Sequence, residues 1–237
     1  KGKGKLVIGY TVYEPMNYTD ADGNFTGFDT ELATAVCEKL GVEPEFVEIN
    51  WDTKVVELDA KSIDCIWNGM TLTDDIMANA ATTKAYAKNA QVVVVKEGTA
   101  YTSTADLAGK TVAVQSTGKP EEIFLSGSDP RIPQAVDVFS IEDRSVQYAM
   151  LACGYVDAIA AHETGILQYM KDNSVEFRIL EEPLLVTGLG IAFAKNDSRG
   201  LDSQLNAVLA QMRTDGTLEQ ILGRYLEHLS LIHISEP

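Results

Sequence analysis

The chain alternates short aliphatic runs with amphipathic stretches, and it does so twice. In the first set, Leu6 to Ile8, Glu45 to Ile49 and Ile63 to Trp67 read as strands, separated by helical patterns at Asp29 to Leu40 and Asp52 to Ala60. The first helix is well punctuated. Asp29 or Thr30 serves as cap, Leu32, Ala35, Val36 and Leu40 follow at helical spacing, and Gly41 stops it. In the second set, Gln91 to Val95, Thr111 to Gln115, Val136 to Phe139 and Val156 to Ala161 read as strands, with helices from about Pro120 and over Glu142 to Cys153. A strand at Gly188 to Ala194 and two helices, Arg199 to Met212 and Thr217 to His228, split at Asp215-Gly216, close the pattern. A βαβ rhythm predicts parallel sheets flanked by helices. Its repetition predicts two lobes, residues 1–88 plus 187–229 and residues 89–186. Crossings near Ala87 to Gln91 and Pro183 to Gly188 would form a two-segment hinge. Residues 230–237 (SLIHISEP) leave the helical period and read as a tail, foreign to the natural protein.

Composition removes several function classes. With 19 basic and 35 acidic side chains the net charge is −16, which repels a phosphate backbone, and no Lys or Arg run offsets it. Nucleic acid is therefore not an expected partner. The longest aliphatic run, Val92 to Val95, is far short of the roughly 20 residues a membrane span requires. No charged segment followed by an apolar one opens the chain, so the protein is cytoplasmic or begins after a removed leader. Cys37, Cys65 and Cys153 are odd in number and widely spaced, which predicts buried free thiols rather than a disulfide framework or a zinc site. No metal or cofactor is expected.

Several motifs stand in order along the chain. Tyr13-Glu14-Pro15-Met16 follows the first strand, Gly23-Asn24-Phe25-Thr26-Gly27-Phe28-Asp29 opens the first helix, and Ile63 to Thr73 (IDCIWNGMTLT) includes Asn68-Gly69. Gly154-Tyr155-Val156-Asp157-Ala158 and Asp215-Gly216-Thr217 come later. From about Lys5 to Leu229 this series resembles the polar amino-acid solute-binding proteins of ABC importers, the type II periplasmic binding proteins. The resemblance implies an α/β fold of two Rossmann-like lobes that closes on a small ligand at the hinge. It also implies a monomer outside the cytoplasm, periplasmic or membrane-anchored as a lipoprotein, that delivers solute to a membrane permease.

A zwitterion taken out of water needs both charges paired, because an unpaired buried charge costs several kcal/mol. In the first lobe, Asn68, Gly69 and Thr71 match the family's loop in which main-chain groups and a hydroxyl receive the ligand. Tyr13 matches the aromatic stacked over it, and Trp51 a second apolar wall. Tyr13 and Trp51 read equally as core residues, and Asn68-Gly69 as a plain turn.

The charge partners depart from the family. An Arg that forks onto the ligand carboxylate normally occupies the position of Ile76. The Asp that receives the ammonium normally occupies the position of His162, and Glu163 follows it. Thr117, Gly118 and Lys119 form a strand-to-helix turn ahead of Pro120 and are expected to hold an anion in place of the missing Arg. Either His162 or, through a one-residue shift, Glu163 would accept the ammonium. If His162 touches ligand, binding should vary between pH 5 and 8. Two other functions fit the same fold. One is an enzyme like the cyclohexadienyl dehydratases, with Glu14 or Glu163 as acid and His162 as base. The other is a sensory ligand-binding module.

Overall fold

A computed structural model describes residues 4–225. The expected tail at 230–237, and the end of the last helical pattern beyond Tyr225, lie outside the described residues. Contacts divide the chain into two compact units, one formed by residues up to Lys88 together with those from Thr187, the other by Asn89–Val186.

The first segment carries β1 (Lys5–Tyr10), a small hairpin of β2 (Tyr18–Thr19) and β3 (Phe25–Thr26), α1 (Phe28–Leu40) and β4 (Glu43–Glu48). A 3₁₀ turn at Trp51–Thr53 then leads into α2 (Lys54–Asp59), followed by β5 (Cys65–Thr71), α3 (Asp74–Asn79) and β6 (Ala80–Thr82). After β7 (Ala87–Lys96) come β8 (Thr111–Gln115), α4 (Lys119–Ser126), β9 (Asp137–Ile141), α5 (Arg144–Ala152), β10 (Ala158–His162), α6 (Glu163–Asn173) and β11 (Phe177–Ile179). The chain then returns through β12 (Leu185–Ala194), α7 (Leu201–Thr214) and α8 (Thr217–Tyr225).

In unit 1 the strands are ordered β4-β1-β5-β12, with β6 on the far side of β12. The β4-β1-β5 part is parallel, whereas β12 and β6 run antiparallel to their neighbours. In unit 2 the order is β7-β10-β8-β9; β9, β8 and β10 are parallel, and β7 is antiparallel to β10 and β11. The expected all-parallel sheets are thus mixed. The antiparallel strands, β7 and β12, are the long ones that follow each crossing of the chain, outside the βαβ rhythm.

Core packing accounts for the sequence patterns. Leu32, Ala33, Val36 and Cys37 turn one face of α1 onto β1, β5 and β12, where Ile8, Trp67, Ile191 and Phe193 are buried with residues of α7 and α8. The run Val92 to Val95 is uninterrupted because β7 is covered on both sides: Val93 and Val95 belong to one core cluster, Val92 and Val94 to the other. Gly41 ends α1 at φ 70°, with its N–H on Cys37 and Glu38 carbonyls. The start of α1 differs from expectation. Gly27, not Asp29 or Thr30, is the N-cap, and Asp29 lies fully buried in the first turn. Among the cysteines, Cys37 and Cys65 are buried, but Cys153 at the end of α5 is exposed. No helix among the described residues is long and apolar enough to cross a membrane.

Candidate functional site

In unit 1 the residues after β1 and along β5 are locked together by their own hydrogen bonds. The Asn68 amide nitrogen donates to the Thr11 carbonyl (2.7 Å) and to Asn17 Oδ1 (2.9 Å), while its oxygen accepts from the Thr11 hydroxyl (2.8 Å). Both amide hydrogens are therefore engaged within the unit. Gly69 sits at φ 57°, a conformation that favours glycine, and an added Cβ would lie 2.7 Å from the Tyr13 ring. The Gly69 N–H, expected to face a ligand, donates instead to Asp29 Oδ2 at 2.5 Å. Tyr13 itself is 1% exposed and belongs to the core with Met16, Phe28 and Trp67, which is the packing alternative to ligand stacking. Thr71, at the end of β5, is only partly buried.

Asp29, expected as a cap, is instead a buried acceptor that ties α1 to β5. Its carboxylate accepts from Gly69 N–H and from the Tyr86 hydroxyl (2.8 Å), and burial pushes its pKa up to about 7 against those two bonds. The only signal in the sequence was an acid one step inside a helix start that already had a glycine cap.

Trp51 and Ile76 pack against the same apolar cluster. Both are partly buried against the cluster of Leu58, Ile66 and Met70, so the position where the family carries its Arg is here an apolar contact. The Ile76 N–H is taken by Thr73 Oγ1, which caps α3. Lys54, a buried lysine one turn beyond Trp51, donates to the Trp51 carbonyl (3.1 Å) and lies 4.7 Å from its ring centre.

In unit 2 the remaining candidates gather at the carboxyl ends of the parallel strands β8, β10 and β9. Thr117 adopts φ 51°, an outlier for a β-branched residue, and Gly118 caps α4 without a side-chain bond. The anion-holding turn expected here is engaged by its own helix: Thr117 N–H donates to Glu121 Oε2 (2.7 Å), and Lys119 Nζ pairs with Glu122 Oε1 (2.5 Å). The two glutamates of the first helical turn supply the negative charge that such a terminus attracts.

His162 is the last residue of β10, and that strand holds unbroken register with β7 from Ala158 opposite Val95 to His162 opposite Gln91. No bulge moves Glu163 into the strand-end position. Glu163 instead begins α6, where partial burial raises its carboxyl pKa above the ordinary value. The Asn89 amide donates to His162 Nδ1 (3.0 Å) and to Thr164 Oγ1 (3.0 Å), and the Gln91 amide lies 3.1 Å from the other ring nitrogen. Burial, and then the nearby Arg144 charge, hold the His162 pKa well below its ordinary range. Both causes favour the neutral ring. Asn89 and Gln91 escaped the sequence reading because alternate polar positions in a strand also fit a solvent face. Among the described residues no three His, Cys, Asp or Glu side chains are grouped to hold a metal.

Comparisons with known proteins agree with this architecture. The sequence matches the bacterial extracellular solute-binding proteins, family 3, over residues 6–228. It is 31% identical to the histidine-binding periplasmic protein of Salmonella typhimurium over 224 residues, 91% of this chain and 84% of the relative. It is 29% identical to the L-cystine-binding protein TcyJ of Escherichia coli, over 95% of this chain and 84% of that one. In structure it superposes with a TM-score of 0.89 on an ABC uptake transporter substrate-binding protein from Streptococcus pneumoniae with bound histidine, at 26% identity, covering 94% of this chain and 93% of the other. A match that spans nearly the whole chain places it in a family: the protein belongs to the bacterial extracellular solute-binding proteins, family 3.

Proposed function

We propose that the protein captures an amino acid, or a small molecule built like one, outside the cytoplasm and delivers it to the permease of an ABC importer. The observation that carries this reading is the family match over residues 6–228, with relatives named for histidine and cystine binding. Trp51 and Thr71 of unit 1, with Thr117, Gly118, Lys119, His162 and Glu163 of unit 2, are the contacts we assign to the ligand. Tyr13, Asn68 and Gly69 form the rigid support behind them. Although no shift brings it to the strand end, Glu163 is the acceptor we assign to an ammonium group, reaching it from the first turn of α6, because a cation needs an anion more than an imidazole. The protein acts as a monomer, in the periplasm or anchored to a membrane, without cofactor and without turnover.

A thermal-shift screen tests this with the twenty common L-amino acids, L-ornithine and L-cystine. A ligand at 100 times its Kd adds about 2.7 kcal/mol of stability, about 5–11 °C for a protein of this size. The expected result is a rise for at least one amino acid in the parent and a smaller rise in Glu163→Gln. No shift across the panel would overturn the reading. Conversion of prephenate or arogenate to an ultraviolet-absorbing aromatic product would replace it with catalysis.

A further inference from the structure

The chain passes from unit 1 to unit 2 between Lys88 and Asn89 and back between Val186 and Thr187, so any movement of one unit against the other is taken up in those two stretches. The return stretch is tied down on both sides of its crossing. In unit 2, residues 180–184 join β11 to β12, and the Leu180 and Leu184 N–H groups donate to the Val93 and Gln91 carbonyls of β7 (2.9 and 2.8 Å). Arg131 takes the carbonyls. Its Nη1 donates to the Pro183 carbonyl (3.0 Å) and to Glu182 Oε1 (2.9 Å), and its Nη2 to the Leu184 carbonyl (2.8 Å). Asp129 steadies the guanidinium from its own loop, accepting from Nε (3.0 Å), from Nη2 (2.6 Å) and from the Arg131 backbone N–H (3.0 Å). All three guanidinium nitrogens are thereby engaged. Ile132 is buried with Leu180 and Leu184 in one cluster, and Leu185 packs against it. On the unit 1 side the Thr187 hydroxyl donates to the Leu72 carbonyl (3.2 Å), the Gly188 carbonyl accepts from the Leu72 N–H (2.9 Å), and a Cβ on Gly188 would run into Ala85. Between these two fixed points only Val186 is left, 56% exposed.

We infer that Arg131 is a positioning residue for solute exchange: by holding the carbonyls that precede the crossing it keeps residues 182–184 with unit 2, confines the bend of the return stretch to Val186, and so slows both closure on a solute and its release. The inference rests on the proposed solute-capture function. Each residue offers only two soft backbone dihedrals. A rotation concentrated on one residue strains them more than the same rotation spread over the residues from Glu182 to Val186, which would yield together without the guanidinium. An ordinary surface ion pair does not account for the arrangement. Such pairs contribute little, and the Glu182 side chain is 63% exposed. Two adjacent carbonyls and a carboxylate instead require a planar fork, which a lysine lacks. Every group of the clamp belongs to unit 2, so it is part of the open and the closed protein alike and acts on rates more than on affinity.

The test compares the parent with Arg131→Gln, Arg131→Lys and Glu182→Gln, each as the whole chain. Stopped-flow tryptophan fluorescence follows binding and displacement of the amino acid from the thermal-shift panel that raises Tm most, and amide hydrogen exchange of the solute-free proteins follows residues 180–187 beside β8. In Arg131→Gln, exchange at 180–187 should speed up about tenfold with β8 unchanged. Release and the limiting rate of closure at saturating amino acid should both rise about tenfold, the scale of one charge-assisted hydrogen bond, with Kd held within about threefold. Arg131→Lys should fall between, and Glu182→Gln, which keeps both carbonyl bonds, should match the parent. A residue that only supports the fold would lower Tm and leave both rates at the parent's values at a temperature where the variant is folded. That result overturns the inference, as does unchanged exchange at 180–187 or a weaker Kd without faster closure. If Arg131→Gln does not fold, Arg131→Lys decides: parental rates would overturn it. Parental rates in the variants leave the solute-capture function standing, whereas absence of any amino-acid ligand of the parent overturns both.

Discussion

The two units carry their candidate residues in opposite ways. In unit 1, Asn68, Gly69 and Tyr13 are consumed by the unit's own structure, in hydrogen bonds to Thr11, Asn17 and Asp29 and in core packing. In unit 2, Lys119, His162 and Glu163 stand at the carboxyl ends of parallel strands, each partly exposed. Where the family carries an arginine, this chain has Ile76 packed against an apolar cluster.

The strongest way to break this contrast is to disturb the unit 1 support. Gly69→Ala puts a side chain into the left-handed region and against the Tyr13 ring, and should cost about 2–5 kcal/mol, read as a lower denaturation midpoint. Asn68→Ala leaves the Thr11 carbonyl and Asn17 Oδ1 without their donor, for a loss of about 1–3 kcal/mol by urea unfolding.

A subtler effect comes from Asp29. Its pKa is 3.8 in an ordinary setting and about 7 in the folded protein, so the native state binds the proton more tightly than the unfolded chain. That contribution is complete below about pH 3.8 and is lost as pH rises to about 7. Asp29→Asn mimics the protonated form. Its stability relative to the parent should increase from pH 4 to pH 7 in a melting series, and a difference that does not change with pH would contradict the assignment.

The smallest effect lies in unit 2. Thr117→Gly relieves a strained φ of 51° but gives the unfolded chain more freedom, so a net gain of up to about 1 kcal/mol is expected in thermal melts. A loss would mean that the threonine side chain holds the turn.

Much of the fold was legible because periodicity and punctuation act locally. The α1 stripe and its Gly41 stop, β8 at Thr111–Gln115 and the buried valines of β7 all follow from burial patterns that a sequence records directly. Strand direction was not legible, because β7 and β12 look like any apolar run and their antiparallel pairing is decided by where the chain crosses. The site was legible in its members more than in their roles. Lys119 was read as an anion receiver, yet its partner Glu122 stands three residues away on the same helix, a pairing that competes with any ligand.

The most direct measurement is the paired stability and affinity of two variants, Asn68→Ala in unit 1 and Glu163→Gln in unit 2, for the amino acid the parent binds. The account predicts a split. Asn68→Ala should lower Tm by several degrees with Kd unchanged within about threefold at a temperature where it is folded, whereas Glu163→Gln should keep Tm nearly intact and raise Kd about tenfold or more. The reverse pattern, affinity lost at Asn68 and kept at Glu163, would contradict the division of labour between scaffold and recognition.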